Sequence, residues 1–166
     1  MNINMTNEII NLLLWKKPQA CALLQGSQAY PQITGYVYFY DYRDGSLVLW
    51  DITGLPYETG KCSGRIFGFH VHEGGSCTGD TSDPFKDAGG HYNPDQCEHP
   101  KHRGDMPVVF GNEDNAWGAF YTSRFTPQEV VGKTVIVHDM PDDFRSQPSG
   151  DSGEKIACGV IYELRA

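Results

Sequence analysis

All six histidines of the sequence lie between positions 70 and 138. Imidazole is the commonest side-chain ligand for transition metals in proteins, and it suits zinc and copper alike. A chain that gathers its histidines in this way is a candidate metal-binding protein. The residues are His70, His72, His91, His99, His102 and His138.

The first group is the pair His70 and His72 in the segment FGFHVHE. Side chains alternate between the two faces of a β-strand, so histidines separated by one residue point to the same side. Two imidazoles on one rigid strand can hold a single metal ion at fixed geometry. The alternative is a solvated polar face, and the pair alone does not decide between the two.

The second group is the segment HYNPDQCEHPKHRGD, which places three histidines and one aspartate within 15 residues. Three imidazole nitrogens and one carboxylate oxygen make a complete tetrahedral shell for zinc. The alternative is a solvated polar loop, which would have to gather half of the histidines by chance. We therefore interpret the segment as a metal site formed by His91, His99, His102 and Asp105. His138 follows the apolar segment TVIV, and its importance comes from the other two groups.

These side chains need a scaffold of strands. The content of glycine (19), proline (10) and aromatic residues (12%) is typical of short strands joined by many turns. Alternating or β-branched patterns predict an antiparallel sandwich or barrel with no helix between the strands. The eight predicted strands are 20–25, 33–42, 46–52, 65–73, 106–111, 116–122, 132–138 and 156–164.

Two of the predicted connections, 74–105 and 139–155, are unusually long. Long loops in a compact domain are usually functional or disordered. The first loop carries three of the histidines, and the others lie on strands that border the two loops. A loop that buries little apolar surface can still be ordered by metal ligation.

The segment before the first strand predicts a short amphipathic helix, with Thr6 as its N-cap and Pro18 after its end. We interpret residues 1–18 as an extension that packs on the domain or on a second subunit, and residues 19–166 as the β-domain. The apolar run 9–15 is preceded by Glu8 and followed by lysines. That is the wrong order for a signal peptide, which favours a cytoplasmic location over export.

The formal net charge is −8, and the sequence has no run of lysine or arginine. This argues against a nucleic-acid backbone or an anionic membrane as partner. No apolar stretch is long enough to cross a bilayer.

Four motifs together resemble the copper/zinc superoxide dismutases, in the same order and with similar spacing from about residue 20 to 164. They are GFHVHE, GGHYNP with the histidines and Gly-Asp downstream, VIVHDMPDD and ACGVI. The resemblance implies an eight-stranded antiparallel Greek-key β-sandwich or barrel with two long functional loops. It also implies an enzyme that converts superoxide into O2 and H2O2.

The resemblance assigns the ligands of two metals. Copper falls on His70, His72, His91 and His138. Zinc falls on His91, His99, His102 and Asp105, so that His91 bridges both ions as an imidazolate. The expected catalytic residues are His91, which binds both metals and donates a proton, and Lys155 at the mouth of the copper channel.

The resemblance further implies a disulfide between Cys77 and Cys158, which would fix the first long loop beside the copper. The alternative is two free thiols, as in a reducing cytosol. Cys62 and Cys97 have no counterpart in the family, so they either pair or stay free. Cys21 lies in an apolar run and is predicted to be a buried thiol.

Asp142 resembles the family's carboxylate that accepts hydrogen bonds from one copper ligand and one zinc ligand, here His70 and His99. Such a partner orients the rings and fixes their tautomers. Asp143 is the neighbouring alternative for this role.

The sequence departs from the family at the channel. Lys155 replaces the usual arginine, which keeps the charge but loses the planar fork that docks a small anion. This predicts retained but reduced activity. Ser149 stands where a threonine often lines the rim. With a net charge of −8, attraction of superoxide depends on the metals, Lys155 and Arg145.

Two other functions are compatible with the motifs. One is a non-catalytic copper- and zinc-binding protein for storage or delivery on the same fold. The other is a structural or adhesion β-sandwich whose histidines are incidental. The resemblance also allows a homodimer.

Overall fold

The computed structural model describes residues 4–61 and 64–165. Seven strands form one curled antiparallel sheet in the order β5-β8-β9-β1-β2-β3-β7, and β4 pairs with β6. In the described residues the strands are β1 (Ala20–Gly26), β2 (Thr34–Tyr42), β3 (Gly45–Thr53), β4 (Ile66–Phe67), β5 (Phe69–His72), β6 (Val109–Phe110), β7 (Ala116–Thr122), β8 (Thr134–His138) and β9 (Lys155–Glu163).

The antiparallel sheet with a short N-terminal helix confirms the predicted fold class. Strands β1 and β2 alternate over most of their length between buried and more exposed residues, as strands with one covered face do. Strand β3 alternates only in its second half, because its first four residues are all buried. The concave side holds the hydrophobic core, which includes Leu24, Val37, Phe39, Ile52 and Phe69. Fully burying each large apolar side chain contributes about 1.5–3 kcal/mol.

Strands β5 and β8 differ from the others because every residue in them is buried. One face packs on the core, and the other is covered by the two long loops. The free edge of β5 is also occupied, since Val71 exchanges backbone hydrogen bonds with the first loop, through Gly104 (2.9 Å) and Tyr92 (2.8 Å). This corner of the sheet therefore places the strand-borne histidines directly against the loop.

The predicted strand 65–73 is divided in two, which explains why the described chain has nine strands rather than eight. At Gly68 the backbone N–H donates to Met140 O, and Gly68 O accepts from the N–H of His138. The chain before Gly68 pairs with β6, and the chain after it pairs with β8. The predicted strand 106–111 is shorter than expected, at Val109–Phe110.

A short helix, α2 (Pro127–Val130), lies between strands where none was predicted. Thr126 and Glu129 form a reciprocal capping box, and Pro127 occupies the first turn, where its missing N–H costs nothing. A 3-10 turn at Lys86–Ala88 lies within the first loop.

The N-terminal helix, α1 (Met5–Trp15), forms as predicted, but its N-cap is Asn4 rather than Thr6. The Asn4 side chain accepts the N–H of Asn7, which satisfies one of the free donors of the first turn. Glu8 accepts hydrogen bonds from Tyr42 (2.6 Å) and Arg43 (2.9 Å), so the helix contacts the β2–β3 turn. No helix in the described ranges is long and apolar enough to span a membrane.

Candidate metal centre

Strands β5 and β8 carry three of the histidines. His70 and His72 lie on β5, and His138 ends the paired strand β8. An isolated antiparallel bridge places His91 of the first loop beside His72. The ligand atoms of these four residues lie within 4.8 Å of one another, and all four residues are buried. We call His70, His72, His91 and His138 the strand-borne cluster.

The first long loop supplies a second cluster. Here the ligand atoms of four buried residues again lie within 4.8 Å of one another. Asp105 Oδ1 lies 2.7 Å from His91 Nδ1 and 3.4 Å from His102 Nδ1, and Asp105 Oδ2 lies 3.2 Å from His99 Nδ1. We call His91, His99, His102 and Asp105 the loop-borne cluster; His91 belongs to both.

The backbone fixes the orientation of two rings on the strand-borne side. His72 Nδ1 lies 2.8 Å from Gly89 O, and His138 Nδ1 lies 3.3 Å from Gly153 O. Because these Nδ1 atoms donate to carbonyls, the lone pairs lie on the two Nε2 atoms. Those Nε2 atoms lie 3.2 Å apart. Two lone pairs that face each other are arranged to share a cation.

Several ring nitrogens in the centre are buried without a hydrogen-bond partner. They are Nδ1 of His70, Nε2 of His91 and Nδ1 of His99. Buried polar atoms are rarely left unpaired, and each such atom needs an explanation. Here the unpaired atoms belong to the two clusters, so bound cations would satisfy them. The donor sets fit the expected metals: four imidazoles suit copper, and three imidazoles with one carboxylate suit zinc.

Asp142 links the two clusters through a hydrogen bond to one histidine of each. Its Oδ2 accepts from His70 Nε2 at 2.7 Å, and its Oδ1 accepts from His99 Nε2 at 2.9 Å. Because Nε2 of His70 and Nε2 of His99 donate to Asp142, Nδ1 of each ring is the nitrogen available for a metal. Asp143 is exposed instead, and it accepts from the backbone N–H groups of Arg145 and Ser146.

The electrostatics favour neutral imidazoles and an ionised carboxylate. Burial lowers the pKa of His70, His72 and His138, in the last case to about 4. Burial also lowers the pKa of His102. Burial alone would raise the pKa of Asp105, but the neighbouring imidazoles lower it. These are the protonation states in which the groups bind metal ions.

The second long loop contributes residues that sequence patterns did not single out. The side-chain amide of Gln147 donates to His99 O at 2.8 Å and accepts from the His99 N–H at 3.0 Å. Gly150 has a φ of +71°, and a Cβ there would lie 2.0 Å from Asp142 Oδ1. A side chain at position 150 would therefore displace the carboxylate that joins the clusters.

Arg124 was also missed, because it lies on the loop after β7, far from the histidine motifs. Its guanidinium donates to the carbonyls of Pro100 and His102, both at 3.1 Å, and to that of Asp105 at 3.5 Å. Arg124 therefore holds the backbone around the loop-borne cluster in place.

The predicted disulfide between Cys77 and Cys158 is confirmed, with a Cα–Cα distance of 5.7 Å. It joins the first loop to β9 across 81 positions. Cys21 is half-buried and Cys97 is exposed, and neither forms a disulfide within the described chain. Cys62 lies outside the described residues, so the question of its pairing with Cys97 stays open.

A channel of about 370 Å³ leads to the strand-borne cluster. His72, His91 and His138 line its floor. Ser149 and Lys155, the residues that the resemblance assigns to the channel, lie in its wall. Arg145 is exposed and is not among the described residues that line the channel, so its contribution to attracting superoxide stays a prediction.

The comparisons with known proteins point to one family. The model of the copper/zinc superoxide dismutase family matches residues 33–161. The chain is 30% identical over 145 residues to Cu-Zn superoxide dismutase 2 of Aquifex aeolicus (strain VF5), which covers 78% of this chain and 80% of that protein. It is also 30% identical over 154 residues to the extracellular Cu-Zn superoxide dismutase of Oryctolagus cuniculus, covering 86% of this chain and 59% of that one.

The fold has a solved counterpart. The structure of a Cu/Zn superoxide dismutase from Brucella abortus superposes with a TM-score of 0.70 at 25% sequence identity. The match covers 85% of this chain and 98% of that chain.

Proposed function

This chain belongs to the copper/zinc superoxide dismutase family, and on that premise we propose how its own residues admit superoxide and handle protons. Both metal sites of the family are intact. The strand-borne cluster is the copper site, the loop-borne cluster is the zinc site, and His91 bridges them. The reaction consumes two superoxide anions and two protons and gives one O2 and one H2O2.

When bound, copper supplies the one-electron exchange with superoxide, and zinc, which has no redox chemistry, organises the site. The remaining tasks belong to the protein. It must hold the ligands rigidly, admit a small anion to the strand-borne cluster and deliver protons to the reduced product.

His91 is placed to carry one of these protons. Its Nδ1 faces Asp105, and its buried Nε2 has no hydrogen-bond partner and faces the strand-borne cluster. The ring also lines the channel that leads to solvent. His91 Nε2 can therefore hold a proton next to the place where superoxide is reduced when it does not bind the metal, and solvent in the channel supplies the second proton.

Lys155 is the residue that guides the anion. It lies in the channel wall, and it is the only lysine or arginine among the described residues that line the channel. A lysine presents a point charge rather than a planar fork. Lys155→Arg is expected to raise kcat/KM, and Lys155→Met is expected to lower it. If kcat/KM is the same in Lys155→Arg, Lys155→Met and the wild type, Lys155 does not guide the substrate.

The single observation that carries this function is the shared His91, whose two nitrogens face two separate buried ligand sets. The test is to measure metal content and superoxide consumption on the same sample. We expect one copper and one zinc per chain with rapid consumption. Copper-loaded protein that fails to consume superoxide would select storage or delivery, and protein without either metal after growth in supplemented medium would refute both readings.

The division between residues 1–18 and 19–166 and the homodimer stay predictions. Ile10, Leu14 and Trp15 leave an exposed apolar side on α1, which supports a role for the extension in contact with a second copy. Leu14→Glu is expected to shift the sedimentation of the full chain from dimer to monomer without loss of activity. A wild-type chain that sediments as a monomer would refute the proposed contact between two copies.

A further inference from the structure

The positive charge of Lys155 does not act on the channel alone, because the side chain forms an ion pair. Its Nζ lies 2.6 Å from Asp83 Oδ2 and donates to Phe85 O at 3.3 Å. The Lys155 side chain is only 16% exposed, whereas the Asp83 side chain is 37% exposed. The ammonium group is therefore held inside the wall by a carboxylate that lies nearer to solvent.

Hydrogen bonds to neighbouring residues of the first loop hold Asp83 in this position. Its Oδ1 accepts from the N–H of Phe85 at 3.1 Å, and its N–H donates to Asp80 Oδ1 at 3.1 Å. Its carbonyl accepts from Asp80 (3.0 Å) and Lys86 (3.2 Å). These bonds leave Oδ2 directed at Lys155, so the conformation of the first loop sets the position of the carboxylate in the ion pair.

The channel consequently has no uncompensated positive side chain among its described lining residues. The charged residues in the lining are Asp83, Glu154 and Lys155. They carry one positive and two negative formal charges, which sum to −1. A cleft with this lining does not concentrate anions, except through bound metal ions.

We propose that Asp83 limits the entry of superoxide by neutralising the charge of Lys155. Asp83 forms no hydrogen bond with a metal ligand among the described residues; it is a positioning residue that acts through the lysine. The inference rests on the proposed guiding role of Lys155, and it adds the residue that determines how strongly that role is expressed.

The direct test is Asp83→Asn in the fully metallated protein. Asparagine keeps an oxygen for the Phe85 N–H and removes only the charge that faces Lys155. We expect kcat/KM to rise about threefold to tenfold at low ionic strength, and this gain to vanish at about 1 M salt. The wild-type value is expected to change little with salt. An unchanged kcat/KM in Asp83→Asn would overturn the proposal.

The matched control is Asp51→Asn, which changes the net charge by the same amount. Asp51 is exposed on β3 and does not belong to the channel lining. We expect this variant to behave as wild type at every ionic strength. An equal gain in the control would show that overall charge, rather than the ion pair, sets the entry rate.

A second readout does not depend on turnover. Azide is a small anion whose binding to the copper-loaded protein can be titrated by visible absorption. We expect its Kd to fall about threefold or more in Asp83→Asn, with no gain when Lys155→Met is added. A gain that persists without the lysine would show that Asp83 acts by its own charge, which contradicts the proposal.

The two experiments separate the possible failures. If wild-type protein with both metals consumes no superoxide but the azide affinities shift as expected, the proposed function fails and the ion-pair assignment stands. If wild-type protein is active and Asp83→Asn changes neither readout, the function stands and this inference fails.

Discussion

The strand-borne and loop-borne clusters share one ring, but different kinds of structure hold them in place. Three ligands of the strand-borne cluster lie on β5 and β8, whose backbones are paired along their length. All four ligands of the loop-borne cluster lie in the first long loop. Of these, His91 and Asp105 form backbone bridges to β5, whereas His99 and His102 have no such bridge in the described chain.

This difference indicates two ways of building a metal site. On the strands, backbone pairing sets the geometry before any ion binds. In the loop, the geometry depends on contacts from elsewhere: Asp142 and Gln147 hold His99, and Arg124 holds the carbonyls around His102. The strand-borne cluster should therefore persist without metal, and the loop-borne cluster should loosen.

Removal of both metals is expected to have the largest effect. A ligand present at 1,000 times its Kd stabilises the folded state by about 4 kcal/mol, so two sites give about 8 kcal/mol. We expect calorimetry to show a large fall in Tm after chelation. Hydrogen exchange should rise in residues 93–103 and stay slow in β5 and β8. Equal loss of protection in both regions would contradict the comparison.

Loss of the disulfide ranks next. Cys77→Ser is expected to cost about 4 kcal/mol in the free energy of unfolding, because the closed loop spans 81 positions. Urea denaturation measures this cost. The exchange of residues 74–90 should rise more than that of residues 93–103, because the disulfide anchors the half of the loop before His91. A uniform rise would show that the loop is one cooperative unit.

Asp142→Asn tests the link between the clusters. An amide can accept from one ring only, and loss of such a partner costs about tenfold to 100-fold in metal affinity. We expect zinc affinity to fall more than copper affinity, because His70 is still held by β5 whereas His99 is not. Chelator competition measures both constants. Asp143→Asn is the control, and a greater loss of copper affinity would reverse the interpretation.

The smallest effect is expected from Arg124→Gln, which removes a cation from three carbonyls of the zinc loop. We expect about a fivefold weaker zinc affinity, near 1 kcal/mol, because the side chain is exposed. Arg103 is the matched control, since it forms ion pairs with Asp95 and Glu129 at the surface. Arg103→Gln should change zinc affinity by less than about twofold. Equal effects in chelator competition would show that Arg124 has no specific role.

Much of the centre could be predicted because its ligands are local in sequence. The alternation of a strand places His70 and His72 on one face, and four ligands within 15 residues define the zinc loop. The role of His138 depended on the family resemblance, since a single histidine after a strand has no distinctive spacing.

The residues that were missed act over long separations. Asp83 pairs with Lys155 across 72 positions, and Gln147 binds His99 across 48. Neither contact leaves a pattern in the sequence, because an exposed aspartate or glutamine in a loop is common. The break at Gly68 was missed for a similar reason, since its backbone partners come from β8 and the second loop.

The order of the strands determines when the enzyme can assemble during synthesis. Strand β9 lies between β8 and β1, so it pairs on both sides although the ribosome makes it after every other described strand. Strands β1, β2 and β3 form neighbouring hairpins and can pair early, whereas β5 and β8 join their sheet by backbone pairing only through β9. A nascent chain halted before β9 would therefore hold half of a sheet, and both copper-binding strands would still lack backbone pairing to it.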